Sequence, residues 1–164
     1  MNWLRIILDG IVMSAVFNLA TGLIITVDPV IFTTSFPKPI RQSAPVNPHA
    51  LRHKILFCLT VILPIFVFGV LSAYEAGIRG FFDLFAAAYI EYFIVNLGDF
   101  FGLDLALREY MKERWELPGT HGHPCYQRKN WLSSLAIMEH FVLWPLLVCP
   151  LFAVLSACLG LLLV

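Results

Sequence analysis

Residues 84–107 read LFAAAYIEYFIVNLGDFFGLDLAL. The run is aliphatic and aromatic throughout, contains no Lys, Arg or Pro, and is long enough as a helix to cross a hydrocarbon core of ~30 Å. Four polar side chains interrupt it, namely Glu91, Asn96, Asp99 and Asp104. An ionisable residue at the centre of a membrane helix costs about 2.5 to 3.5 kcal/mol, so such residues usually face a partner or a cavity. This stretch therefore predicts a membrane helix with a polar interior face.

Three further apolar runs have the length of a membrane span, at about residues 3–26, 55–77 and 132–163. Of the 164 residues, 59% are hydrophobic and 13% are charged, and the mean hydropathy is +0.80. A soluble domain carries about 25% charged residues. Because no separate soluble domain fits between the runs, we predict one all-α domain, an integral membrane four-helix bundle.

Two polar loops, at about residues 27–54 and 108–131, predict the orientation of this bundle. The short turn at residues 77–80 makes the second and third spans antiparallel neighbours, so the two loops lie on one side. Of the eleven Lys and Arg residues, only Arg5 and Arg79 lie outside these loops. Cytoplasmic loops keep the excess of positive residues. We therefore expect up-down topology in the inner (plasma) membrane, with cytoplasmic loops and both termini on the outer side.

The third span is expected to present its polar residues to a pocket that opens toward the cytoplasm. At about 100° per residue, Tyr92, Asn96 and Asp99 share one stripe and Asp104 lies to its side. With a rise of ~1.5 Å per residue, Asp99 is about 12 Å from the cytoplasmic end of its helix, and Asn18, Thr21 and Thr60 have comparable depth. The ligand-binding candidates are Asn96, Tyr92, Asn18, Thr60 and Asp104.

The catalytic candidates are Asp99, Glu139 and His140. Asp99 or Glu139 could act as a general base, and His140 could act with carboxylates as a metal ligand. Glu139 and His140 reach the pocket if the last helix begins near residue 131, and they are interfacial if the crossing begins near His140. In a purely structural alternative, Asn96 and Asp99 form an interhelical hydrogen-bond network, and Asp104 pairs with Arg108 at i, i+4.

All five histidines lie on the expected cytoplasmic side. His49 and His53 have i, i+4 spacing, and His121 and His123 form an H-x-H pair, so a metal site with His140, His121 and His123 as candidate ligands is conceivable. Loop histidines are more often solvated, and these short spacings lack a longer metal-binding signature. The sequence leaves the cofactor open.

Charge and cysteine content exclude some classes of protein. The formal net charge is zero, so the chain lacks the basic field that nucleic-acid binding requires. Three of the four cysteines lie in apolar runs, and their spacing matches neither a disulfide framework nor a zinc knuckle. The expected partners are the lipid bilayer and either another membrane protein or a second copy of the chain.

Three segments together resemble an uncharacterised family of small bacterial multi-pass membrane proteins. They are DPVIFTTSFPKPIRQSAP (28–45), VNLGDFFGLDLAL (95–107) with its Asn-x2-Asp-x4-Asp pattern, and LPGT (117–120) ahead of a tyrosine and a final helix that carries histidine. The family has an acidic stretch after Pro-Gly-Thr, whereas this chain has His121-Gly122-His123. The resemblance implies a bacterial four-helix membrane protein and supplies no activity.

The sequence supports three functional hypotheses. The first is a small membrane protein whose polar cluster binds a lipid-like or small polar ligand, with or without catalysis. The second is a proton-coupled transporter component, and the third is an accessory or assembly subunit of a membrane complex. The ligand, the reaction and the oligomeric state do not follow from the sequence.

Overall fold

Four long helices, each apolar enough to cross a membrane, account for most of residues 2–163, which are the residues that the computed structural model describes. They are α1 (Trp3–Val27), α2 (Ala50–Glu75), α3 (Phe81–Trp115) and α4 (Arg128–Leu162). The described part of the chain contains no strand. The predictions of an all-helical protein and of four helices with the length and composition of membrane spans are confirmed.

Three of the helices are longer than predicted at the ends that face the loops, and one of them is α4, which begins at Arg128 rather than near residue 132. α2 begins at Ala50 rather than at residue 55, directly after the last proline of the preceding segment. α3 continues beyond residue 107 to Trp115, and its last turn, Lys112–Trp115, is a 3-10 turn that begins at Lys112, where φ is +44. The connecting segments therefore cover only residues 28–49 and 116–127, and they contain short helices at Pro29–Ser35, Lys38–Ser43 and Pro124–Tyr126.

Parts of α2, α3 and α4 are wound more widely than an α-helix. π-helical stretches occur at Cys58–Ile62 in α2, at Asp99–Leu107 in α3, and at Leu132–Ala136 and Glu139–Val148 in α4. In the second of these, the Arg108 N–H donates to the carbonyl of Leu103, five residues earlier. π-helical segments are rare and occur frequently at functional sites.

Small residues let α3 approach α1 and α4 closely. At Gly10 of α1, an added Cβ would lie 2.8 Å from Cδ1 of Ile94. At Gly160 of α4, it would lie 3.0 Å from Cδ1 of Leu84. Such small-residue contacts are the usual packing device of membrane helices, where dispersion replaces the hydrophobic effect. α3 is therefore the helix against which α1 and α4 are both positioned.

The tightest of these contacts gives a prediction about stability. A Cβ at Gly98 of α3 would overlap Oγ of Ser14 and lie 2.9 Å from Nδ2 of Asn18, whereas a Cβ at Gly102, one turn further, would meet nothing closer than 3.6 Å. We expect Gly98→Ala to be less stable than Gly102→Ala by about 1 to 3 kcal/mol, the usual cost of overpacking. Denaturant unfolding of both variants in the same micelles measures this difference. Equal stability would contradict the close contact between α1 and α3.

Large apolar side chains cover the outward faces of the four helices. Examples are Leu19 on α1, Leu59 on α2, Phe101 on α3 and Leu146 on α4, each more than half exposed. Exposed apolar surface of this extent is unusual on a soluble monomer. It is the surface expected of a protein whose solvent is lipid.

Candidate functional site

A hydrogen-bonded network joins α3 to α4 in the interior of the bundle. Nδ2 of Asn96 donates to the backbone carbonyl of His140 at 2.9 Å, and Oδ1 of Asn96 lies 2.7 Å from Nδ1 of the same histidine. On the other side of the ring, Nε2 lies 2.8 Å from Oδ2 of Asp104. Asn96 is fully buried and His140 is 2% exposed. Three polar side chains therefore satisfy one another away from solvent.

The orientation of Asn96 fixes where protons must lie in this network. A carbonyl can only accept, so the Asn96 nitrogen faces the His140 carbonyl and the Asn96 oxygen faces Nδ1. Nδ1 must then carry a proton and donate it to that oxygen. The contact between Nε2 and Asp104 needs one further proton, held either by the imidazole or by the carboxyl. Without that proton, two acceptors would face each other at 2.8 Å.

Asp104 also accepts a hydrogen bond from the beginning of α4. Nε1 of Trp131 donates to Oδ1 of Asp104 at 3.0 Å, so both carboxylate oxygens are used by α4. The expected i, i+4 ion pair of Asp104 with Arg108 is wrong for this reason. Cζ of Arg108 instead lies 3.0 Å from the centre of the Trp131 ring, a cation–π arrangement.

A cavity of ≈ 180 Å³ adjoins this network, and we call it the site cavity. Its aromatic wall includes Phe17, Phe32, Phe57, Trp115 and Trp144. Ser35, one of its lining residues, is exposed. Its polar lining is formed by Thr21, Asp99, Asp104, Arg108, Glu139 and His140.

Several polar groups of the site cavity have no partner within the protein. Oγ1 of Thr21, a residue that is 6% exposed, and Nε of Arg108 are both buried without a hydrogen bond. The Asp99 carboxyl makes neither a hydrogen bond nor an ion pair with any residue from 2 to 163. Buried polar groups are normally satisfied, so each such group requires an explanation. The Thr21 hydroxyl and the Nε–H of Arg108 are therefore donors, and the Asp99 carboxyl is an acceptor, that remain free around the site cavity.

A second, larger cavity of ≈ 540 Å³ lies on the loop side of Arg108, and we call it the loop cavity. It shares Asp104 and Arg108 with the site cavity. Its other lining residues are mostly charged or polar and come from the end of α3 and the segment before α4: Glu109, Lys112, Glu113, Glu116, His123, Tyr126, Gln127 and Arg128. Arg108 is thus common to an aromatic cavity among the helices and a polar one among the loops.

The Pro-Gly-Thr segment beside the loop cavity is held by a tyrosine. The Thr120 N–H donates to the Leu117 carbonyl at 3.1 Å across a turn in which Gly119 has φ +77, the geometry that requires glycine. The Tyr126 hydroxyl accepts from the Leu117 N–H at 2.9 Å and lies 2.7 Å from Oγ1 of Thr120. Burial raises the pKa of Tyr126, which keeps its hydroxyl protonated and able to donate to Thr120. These contacts give a structural reason for threonine and tyrosine in this motif.

Three of the predicted ligand-binding residues do not line the site cavity. Tyr92 packs in the apolar core, with its ring centre 5.0 Å from that of Phe152. Asn18 donates to the carbonyl of Ser14 at 2.7 Å. Thr60 is exposed, and its hydroxyl donates to the carbonyl of Leu56 at 2.8 Å. Thr60 bonds to the preceding turn of its own helix, which satisfies its hydroxyl without any ligand. Asn18 bonds in the same way through Nδ2, whereas its Oδ1 and the Tyr92 hydroxyl are buried without a partner among the described residues.

The candidate metal ligands His140, His121 and His123 are not brought together. Nδ1 of His121 pairs with Glu116 at 3.2 Å, and Nδ1 of His123 accepts from the N–H of Cys125 at 3.1 Å. His140 is occupied by Asn96 and Asp104. Within residues 2–163, no group of three or more His, Cys, Asp or Glu side chains is placed to hold a metal ion.

The predicted residues that do adjoin the network or the site cavity are Asn96, Asp99, Asp104, Glu139 and His140. Sequence reasoning treated Arg108 only as an ion-pair partner of Asp104, and it did not predict the hydrogen bond of Trp131 to Asp104. Comparison of the chain with known protein families, with characterised proteins and with solved structures finds no match. The geometry of the site is therefore the basis for any proposal about function.

Proposed function

We propose that the chain is a small polytopic membrane protein that binds a lipid-like or small polar ligand in the site cavity. The observation that carries this proposal is that two buried polar atoms beside that cavity, Oγ1 of Thr21 and Nε of Arg108, have no partner among residues 2–163, and that the half-buried Asp99 carboxyl beside them forms no hydrogen bond or ion pair there. The His140 network already satisfies its own members, so a packing role alone does not account for these free groups. A bound ligand would supply their missing partners.

The chemistry of the lining restricts the class of ligand. The carboxyls of Asp99 and Glu139 suit a positively charged or hydrogen-bond-donating group, and the guanidinium of Arg108 suits an anionic or accepting one. The aromatic wall suits an apolar portion or stacks against a cation. A cavity of about 150 Å³ is enough to hold benzene, so one small group fits here. A zwitterionic headgroup with an apolar tail best matches this combination.

The orientation of the protein forms part of the same proposal. We place both termini on the outer side and residues 28–49 and 116–127 in the cytoplasm, with up-down topology in the inner membrane. The support is the uneven distribution of Lys and Arg, of which only Arg5 and Arg79 lie away from these two segments and the helix ends that adjoin them. In this orientation, the ligand enters the site cavity from the cytoplasmic leaflet near Ser35.

A catalytic version of the proposal assigns the general base to Asp99 or Glu139. Both carboxyls line the site cavity and could reach a bound ligand. His140 has both ring nitrogens engaged by Asn96 and Asp104, so it acts as a positioning residue for the cavity wall. This differs from the sequence-based hypothesis, in which His140 itself was a catalytic candidate.

The test is binding of water-soluble short-chain lipids that differ only in headgroup: zwitterionic, anionic and uncharged. Trp115, Trp131 and Trp144 line the site cavity, so intrinsic fluorescence reports occupancy. We expect saturable binding of the zwitterionic lipid and a loss of about tenfold or more in Asp99→Asn, because a hydrogen bond to a charged group contributes about 1.5 to 3 kcal/mol. Circular dichroism should show that this variant keeps its helices.

Asp83→Asn is the matched control, because Asp83 is an exposed aspartate on the same helix and lies outside the site cavity. It should bind like the wild type. Equal affinity of the wild type and Asp99→Asn, or the absence of saturable binding for all three headgroups, would reject the site cavity as the binding site.

A further inference from the structure

A second buried carboxyl, Glu91, lies on α3 outside the site cavity. The residue is 2% exposed, and its side chain makes no hydrogen bond or ion pair with any residue that the structure describes. Its Oε2 faces α2, where a Cβ at Gly69 would lie 3.1 Å away. The side chain of Met13 of α1 approaches the same position. Gly69 and Met13, on two neighbouring helices, therefore lie beside this carboxyl.

Among residues 2–163, no positive charge compensates Glu91. On α1, the charged group that acts on Glu91 is Asp9, whose charge is also negative. Arg5 of the same helix donates to Glu75 instead. From α2, Glu75 lies at the exposed end of the helix. The part of α4 that packs near it, Cys149–Leu162, contains no charged residue, and its titratable side chains are two cysteines. On α3 itself, the adjacent titratable group is the Tyr92 hydroxyl.

A chain of polar side chains leads from the surface toward Glu91. At its outer end, Glu75 is 72% exposed and accepts from Arg5 at 3.2 Å. Arg5 donates to Oγ of Ser72 at 3.0 Å, and Ser72 donates to Oδ2 of Asp9 at 2.6 Å. Asp9 directly precedes Gly10, at which a Cβ would lie 3.2 Å from Cα of Glu91. Arg5 stays protonated, so it orients Ser72 and Asp9 rather than passing a proton. Asp9, whose side chain is 16% exposed, is the carboxyl in this neighbourhood that can take up and release a proton.

We propose that Glu91 is a proton-binding site, protonated at neutral pH, that exchanges its proton through Asp9. An ionised carboxylate without a partner in an apolar interior is strongly unfavourable, and such a group takes up a proton instead. Ionisable residues inside membrane bundles mark proton relays in pumps and transporters. The proposal does not depend on ligand binding in the site cavity, and it favours the proton-coupled transporter as the second candidate function.

Infrared difference spectroscopy of the full-length protein in liposomes tests the site. The spectrum of the wild type minus that of Glu91→Gln at neutral pH should contain the carbonyl band of a protonated carboxyl. Glu75→Gln, the matched control on an exposed and ion-paired glutamate, should remove only carboxylate bands. A difference spectrum for Glu91→Gln with carboxylate bands alone overturns the proposal.

A second measurement covers the case in which Glu91→Gln does not fold. Glu91 is the one glutamate that is buried in the described structure. Glutamate labelled with 13C at the carboxyl is incorporated into a Glu139→Gln background, so that the half-buried Glu139 does not contribute a band. A protonated-carboxyl band that shifts on labelling supports the site, and its absence overturns it. Exchange of this proton for deuterium should be slower in Asp9→Asn than in the wild type. An unchanged exchange rate contradicts the route through Asp9.

Discussion

His140→Ala is expected to lower the free energy of unfolding by about 3 to 5 kcal/mol, the range observed when one partner of a buried polar pair is removed. The substitution leaves Oδ1 of Asn96 and Oδ2 of Asp104 without their partner, and both residues lie on α3. It also removes the ring that fills the space between Phe100 and Trp144, whose centres lie 5.5 and 6.5 Å from that of His140. The unpaired groups and the new void both lower the free energy of unfolding.

Denaturant unfolding in mixed micelles, followed by circular dichroism, measures this loss. His49→Ala is the control, because His49 is exposed and its ring contacts only the neighbouring His53 ring among the aromatic pairs of the described structure. We expect that variant to unfold within about 0.5 kcal/mol of the wild type, as surface substitutions usually do. If the two alanine variants unfold alike, the network between α3 and α4 does not hold the bundle together.

The number of helices and their character follow from the sequence because each apolar run is continuous over the length that a bilayer requires. The run from residue 84 to residue 107 already predicts that α3 is a helix long and apolar enough to cross a membrane. Prolines in residues 28–49 allow only short helical segments there. These are local properties. Hydrophobicity and proline content do not depend on how the helices later pack.

The pairing of Asn96 and Asp104 on one face does not follow from the sequence, because it depends on the winding of α3. At 100° per residue, Asp104 would lie about 80° around the helix from Asn96. The wider turns from Asp99 to Leu107 advance by only about 80° per residue, which brings the two side chains almost into line. Both can then meet His140. The stripe predicted for an ideal helix includes Tyr92 and leaves Asp104 out for this reason.

Other parts of the site depend on the packing between helices that are distant in the sequence. Trp131 reaches Asp104 only because the beginning of α4 lies beside the second half of α3. Arg108 stacks on Trp131 for the same reason. Thr60 and Asn18, in contrast, have the depth but not the direction that the predicted pocket requires, since each bonds to its own helix. The depth of a residue in the membrane can be counted along the sequence, whereas the direction of its side chain about the helix axis depends on how the neighbouring helices pack.

The proton arrangement in the network leads to a test on Asp104. Asp104→Ala leaves Nε2 of His140 and Nε1 of Trp131 unpartnered, and we expect a loss of about 2 to 4 kcal/mol, since each unsatisfied buried group costs about 1 to 3 kcal/mol. Asp104→Asn should unfold within about 1 kcal/mol of the wild type. Its amide N–H can donate to Nε2 and its oxygen can accept from Trp131, so every hydrogen bond is kept without the additional proton.

Unfolding of the two variants under one set of conditions separates a hydrogen-bond role of Asp104 from an ionic one. If hydrogen bonds hold the network, asparagine substitutes for a protonated aspartic acid and only alanine is damaging. If attraction between an imidazolium and a carboxylate holds it, asparagine removes the charge and destabilises as much as alanine does. 15N spectra of His140 provide the independent readout: in Asp104→Asn, Nδ1 should remain protonated and Nε2 should be an unprotonated acceptor. An unprotonated Nδ1 in that variant would contradict the tautomer that Asn96 imposes.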